Sequence, residues 1–129
     1  MYPEDLKYTK THEWIRVKES IGVIGVTDFA VKQLTDLVYV ELPSIGEKII
    51  RGSSFGVVES VKAVSDLNSP VTGGVIKVNE KLANKPELIT EDPYGKGWMI
   101  EVKLEDVVEL NTLMNSKEYE KLTKEEEEK

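Results

Sequence analysis

Lys62 is the residue whose type and setting offer the most specific chemistry. It stands between two small apolar residues, Val61 and Ala63, with Glu59 three positions before it and Asp66 four after. A primary amine with a compact apolar collar suits amide attachment of a carboxylic cofactor. The amide bond removes the charge and leaves the four-carbon stem as a swinging tether. An unmodified lysine is ordinarily a solvated surface charge, so the elements around it decide what it is for.

Those elements read as a hairpin. Val57 and Val58 form a β-branched run that leads into a short polar tip, and the chain returns through Val64 and Leu67 to Pro70 and Gly73-Gly74, read as a turn. A loop tip on a stiff sheet is accessible while its scaffold fixes its position.

Composition narrows the classes. The chain has 129 residues, 40% hydrophobic and 32% charged, with 17 basic and 24 acidic side chains and a formal net charge of -7. That length supports one domain spanning 1–129 with a modest core. No clustered basic stripe is present, so no nucleic-acid partner is expected. No apolar run approaches the roughly 20 residues of a membrane helix. Met1-Tyr2-Pro3-Glu4-Asp5 lacks the basic-then-apolar order of a secretion signal, and a cytoplasmic compartment is expected. There is no cysteine, which rules out disulfides, thiol nucleophiles and thiolate metal sites. With a single histidine, His12, neither a nucleophile–base pair nor a metal set is visible, so an enzyme is not expected. An exposed or structurally hydrogen-bonded ring is the ordinary role for such a histidine.

The rest of the chain predicts the scaffold. Leu6 to Lys18 reads as an entry segment and first strand, with Trp14 as core or cleft wall. Ser20 to Val26 reads as a strand in which Gly22 and Gly25 mark a bend or close approach. Thr27 or Asp28 caps a short helix to Leu34, ended by Thr35-Asp36. Leu37 to Leu42 alternates as a strand, and Lys48 to Ile50 is a short one. Val75 to Val78 is a strand, Asn79 to Pro86 a polar connection, Glu87-Leu88-Ile89 a short bridge, and Asp92 to Gly97 a loop. Trp98 to Leu104 reads as a strand anchoring the side of the core opposite Trp14. Val107, Leu110, Leu113 and Met114 are spaced for one helical face. Ser116 caps a helix to about Leu122, so that residues 117–129 form a C-terminal helix and a charged, frayed tail. Many short strands with turn signals between them predict a mainly β fold of antiparallel sheets, with one inserted helix and C-terminal helices.

Thr11-His12-Glu13-Trp14, Ile24-Gly25-Val26-Thr27-Asp28, Val38-Tyr39-Val40-Glu41-Leu42-Pro43, Glu59-Ser60-Val61-Lys62-Ala63, Ser65-Asp66, Val78-Asn79, Pro86-Glu87-Leu88-Ile89 and Pro93-Tyr94-Gly95-Lys96-Gly97-Trp98 occur in the order found in one family. On these motifs the chain closely resembles the H proteins of the glycine cleavage system. The resemblance implies a lipoyl-domain-like barrel-sandwich hybrid, with lipoic acid in amide linkage on the lysine matching Lys62. It implies a non-catalytic shuttle that takes an aminomethyl group from glycine decarboxylase to aminomethyltransferase and offers its arm to dihydrolipoamide dehydrogenase, after modification by a lipoate-attaching enzyme. It also implies a sheltering cleft whose matching positions are Thr11, Glu13, Gln33, Ser65 and Asp66, with Glu13 and Asp66 holding the cargo's ammonium. Gln33 stands where some relatives carry histidine, and Thr35 where relatives often carry glycine. Biotin carrier domains share the fold and the tip lysine but flank it with methionine, whereas Val61 and Ala63 favour lipoate. Some relatives relay lipoyl or octanoyl groups to other proteins, and that role is the alternative to the shuttle. An unmodified interaction domain is the reading that Lys62→Arg distinguishes.

Overall fold

The computed structural model describes residues 2–34 and 36–127; Thr35, one of the expected departures, lies outside them. The strands are β1 (Lys7–Tyr8), β2 (Glu13–Lys18), β3 (Ile21–Val26), β4 (Leu37–Glu41), β5 (Lys48–Ile49), β6 (Ser54–Ser60), β7 (Val64–Asn68), β8 (Gly73–Val78) and β9 (Ile100–Leu104). The helices are α1 (Asp28–Gln33), α2 (Lys81–Asn84), α3 (Glu87–Glu91) and α4 (Ser116–Glu127), with a 3-10 helix at Val107–Thr112. Two antiparallel sheets result, neither closed on itself. One runs β1-β2-β3-β9-β8-β5 and the other β4-β6-β7.

The period of two along β2 and β3 sorts side chains into two cores. Ile15, Ile24 and Val26 join Val75, Ile100 and Val102 of the large sheet, Val40, Val58 and Leu67 of the small one, and Val31, Leu82 and Ile89 of the helices. Trp14 points the other way and packs with Leu6, Tyr8 and Tyr119, flanked by Tyr94, Trp98 and Met114. Gly25 lies opposite Trp14 in the ladder, and a Cβ there would sit 2.6 Å from the indole Cζ2. The glycine therefore makes room for the ring. The Trp14 indole N–H donates to the Pro93 carbonyl at 3.1 Å, which fixes the 92–97 loop against the sheet.

Several expectations are corrected. The entry segment is two strands separated by a turn at Thr9–His12, where His12 adopts φ +76°. Alternation in β4 is broken by a bulge between Leu37 and Tyr39, which leaves both Val38 and Tyr39 exposed. Gly73 and Gly74 lie within β8 rather than in a turn, because a side chain at Gly73 would strike the Lys103 carbonyl of β9. The connection after Val78 contains α2, which buries Leu82, and the bridge at Glu87 is the helix α3. The helix expected near Val107 is a 3-10 turn with Val107 and Val108 exposed. Trp98 precedes β9 and joins the Trp14 cluster instead of anchoring the opposite side. Asn115, not Ser116, caps α4: its side chain accepts from the Glu118 N–H while the Glu118 carboxylate accepts from the Asn115 N–H, both at 2.9 Å. The expected frayed tail is helical through Glu127, with Thr123 buried; Glu128 and Lys129 lie outside the described residues.

Candidate functional site

Lys62 stands at the tip of the β6–β7 hairpin, in the four-residue connection that follows the Glu59–Val64 pair. Val61, Lys62, Ala63 and Val64 are all exposed. Ser60 clamps the tip: its backbone N–H donates to the Ala63 carbonyl at 2.8 Å, and its buried hydroxyl bridges the Ala63 N–H and C=O at 3.1 and 3.2 Å. A third tie comes from outside the hairpin, where the Val61 N–H donates to the Asp36 carbonyl at 3.2 Å. The Lys62 ammonium makes no ion pair among the described residues. The backbone around the amine is thus fixed while the amine stays free. An acyl group on this amine would break no ion pair among the described residues.

The outer face of the small sheet surrounds this tip. Ladder pairing places Tyr39, Glu59 and Val64 in one row and Glu41, Val57 and Asp66 in the next. With Val38 and Val61, this gives an exposed apolar patch (Val38 55%, Tyr39 51%, Val61 70%, Val64 63% exposed) bordered by carboxylates.

Glu13 is held at the base of the same hairpin. It is 1% exposed. Its Oε1 accepts from the Thr9 hydroxyl at 2.7 Å and from the Thr11 hydroxyl, and its Oε2 accepts from the Asn68 backbone N–H at 3.0 Å. Burial pushes the carboxyl above the ordinary range, and the donors from Thr11, Asn68 and Thr9 oppose that rise. A carboxylate oxygen accepts about two hydrogen bonds, and Oε2 has one donor among the described residues.

The structure brings some of the expected cleft residues together and leaves others apart. Thr11 and Glu13 are in direct contact. Asp66 lies on β7 two residues before Asn68, on the same strand face, exposed and bonded to the Ser54 hydroxyl at 3.5 Å. Ser65 points to the opposite face, half-buried. Gln33 is exposed at the end of α1 and bonds to none of the other four among the described residues. At about 3.3 Å per residue, Asn68 lies about 7 Å beyond Asp66 along β7, so Asp66 is nearer the tip than the Glu13–Asn68 contact is.

Three contributors were not singled out from sequence. Ser60 carried a signal, since a serine three residues before the end of a tight connection closes a local turn. Thr9 and Asn68 carried none: Asn68 meets Glu13 through a backbone N–H across 55 positions. His12 takes the structural role, its ring bonded to Tyr119 and Glu126. No group of three metal-ligating side chains occurs among the described residues, and no described helix is long and apolar enough to cross a membrane.

Comparison with known proteins gives the family and the fold. Residues 6–126 match the family model described as glycine cleavage H-protein. A glycine cleavage system H protein of Carboxydothermus hydrogenoformans is 56% identical over 124 residues, covering 96% of this chain and 95% of the relative. One from an Anaeromyxobacter species is 53% identical over 125 residues, covering 97% and 98%. The crystal structure of a glycine cleavage system H protein from Mycobacterium marinum superposes with a TM-score of 0.85 at 40% identity, covering 92% of this chain and 95% of that one. With a family model spanning nearly its whole length and relatives of matching extent, the chain belongs to the glycine cleavage H-protein family.

Proposed function

We propose that Lys62 is the residue through which this carrier holds its lipoyl arm, and that the Glu13 and Asp66 carboxylates receive the amine of the cargo. Family membership makes the chain the lipoyl-carrying shuttle of the glycine cleavage system. The observation that carries the Lys62 assignment is the combination at the tip: an exposed ammonium with no ion pair among the described residues, on backbone fixed by Ser60, Ala63 and Asp36. Lipoate in amide linkage there supplies a sulfur pair able to bear an aminomethyl group.

The chain's own residues do the rest. The clamped turn aims the tether, and the apolar patch of Val38, Tyr39, Val61 and Val64 gives several enzymes one surface to visit in turn. Weak, transient contact suits that task, because each partner must also let go. Asp66, exposed on β7, is the first carboxylate below the tip on that strand, and Glu13 is the sheltered one. A sheltered carboxylate strengthens its hold on an ammonium and keeps water from the carbon beside it. Ser65 and Thr11 add neutral hydrogen-bonding groups, and Gln33 supplies a neutral amide at the end of α1. The partners proposed are glycine decarboxylase, aminomethyltransferase, dihydrolipoamide dehydrogenase and a lipoate-attaching enzyme. These enzymes supply the catalysis, and the chain supplies position and shelter in a cytoplasmic setting.

Co-expression with a lipoate ligase, followed by intact mass measurement, tests the assignment. The wild-type chain gains the mass of one lipoyl group and Lys62→Arg gains none. Glycine oxidation reconstituted from the purified enzymes then stops with Lys62→Arg. Activity surviving that substitution would sink the Lys62 assignment.

A further inference from the structure

The Thr9–Glu13 turn is held from a distance. His12 sits at φ +76°, a conformation that costs a residue with a Cβ about 1 kcal/mol or more unless its surroundings enforce it. Here they do. The His12 N–H donates to the Thr9 carbonyl at 3.2 Å, and its own carbonyl accepts from the Thr27 N–H at 3.0 Å. Its ring lies 4.7 Å from the Phe29 ring. Nδ1 is 2.7 Å from the Tyr119 hydroxyl and Nε2 is 3.1 Å from the Glu126 carboxylate. Tyr119 and Glu126 both belong to α4, more than 100 positions away.

The bonds form a directed chain. The Ala30 N–H donates to Thr27 Oγ1, the Thr27 hydroxyl to Tyr119, Tyr119 to His12 Nδ1, and Nε2–H to Glu126. That order fits a neutral ring. Every side-chain link in that chain has a partner. What it holds is the reversal that turns the Thr9 and Thr11 hydroxyls onto Glu13 Oε1. α4 is docked for the task by Tyr119, whose ring stacks on Tyr8 at a centroid distance of 4.6 Å.

We propose that α4 is a clasp on the cleft: Tyr119 and His12 are positioning residues that set the Glu13 carboxylate for the cargo's amine. This rests on the reading that Glu13 receives that amine. The test uses the full, lipoylated chain and three variants: Tyr119→Phe, which keeps the ring stack, His12→Asn, which tolerates the left-handed backbone but cannot span to α4, and Glu13→Gln. Two readouts are taken well below the unfolding temperature. One is the rate at which the aminomethyl cargo is lost to water after loading by glycine decarboxylase. The other is the NMR shift of the Asn68 amide, which reports its bond to Glu13 Oε2 and does not depend on the cargo. Tyr119→Phe and His12→Asn are expected to shorten the cargo's lifetime roughly fivefold, the effect of one lost hydrogen bond, and to move the Asn68 amide. A role in folding alone lowers the melting temperature but leaves both readouts in place. If Glu13→Gln shortens the lifetime while Tyr119→Phe and His12→Asn match wild type in both readouts, the clasp is overturned and the role of Glu13 stands. If Glu13→Gln leaves the lifetime unchanged, the role of Glu13 is overturned, and the clasp's purpose with it.

Discussion

Burial and hydrogen bonding pull the Glu13 carboxyl in opposite directions, and burial wins: its pKa is raised. The sign of the consequence follows. The folded chain binds this proton more tightly than the unfolded chain. The group's stabilising contribution is therefore complete below the ordinary glutamate value of about 4.3 and is lost as pH rises through the higher folded value. Glu13→Gln removes the titration. It also turns an amide NH2 or a poorer acceptor toward the Asn68 N–H, a penalty that does not vary with pH. The melting temperature of wild type should thus fall relative to Glu13→Gln as pH climbs from about 4 toward neutrality, then run parallel to it. A difference that stays constant across the whole range would refute the raised pKa. The sequence exposed part of this site and hid the rest for a physical reason. Lys62 was legible because a hairpin tip is a local pattern. Burial of Glu13 was not, because the group that draws it in is a backbone N–H of Asn68, and backbone atoms leave no residue-type signal.

At the scale of elements, the strands were legible wherever one face is buried and period two survives, as in β3 and β7. The misreadings have separate causes. The bulge at Leu37–Tyr39 reverses the alternation of β4. α2 is only four residues long, too short for any period to register, and is secured by Leu82 in the core. Gly73-Gly74 looked like a turn because two glycines usually punctuate, yet Gly73 serves the close approach of β9. These glycines make the argument testable. Gly25→Ala places a methyl against the Trp14 ring, whose indole is already tied to Pro93, so the ring cannot retreat freely. Overpacking of this kind costs about 1–3 kcal/mol. Gly74→Ala, in β8, meets nothing within 4 Å and should change stability by no more than about 0.5 kcal/mol. Urea unfolding of the two variants measures both. Equal effects would mean that Gly25 is not there to seat Trp14.

Across the whole molecule, charge links the tip to its partners. The 17 basic and 24 acidic side chains leave a net charge of -7, and Glu41, Glu59 and Asp66 place part of it on the sheet face around Lys62. Acylation of Lys62 removes one positive charge and takes the balance from -7 to -8. An arm attached at Lys62 would be carried on a face that becomes more acidic on attachment, and a partner with a basic rim would be drawn to it before contact. Such attraction acts mainly on the encounter rate. It fades when the Debye length shrinks, from about 30 Å at 0.01 M salt to about 8 Å at 0.15 M. Two measurements follow. On isoelectric focusing, the lipoylated chain should run more acidic than the unmodified chain, and Lys62→Arg should show no such shift after the same treatment. With the lipoylated chain as the varied substrate, kcat/KM for a partner enzyme should fall several-fold between those salt concentrations while kcat stays nearly level, because the encounter and not the transfer is screened. Reversing Glu41 and Glu59 to lysine should flatten that salt dependence without unfolding the sheet, since neither side chain is in the core. A salt response unaltered by the double reversal would mean that the attraction comes from elsewhere on the surface and that this face meets its partners through apolar contact alone.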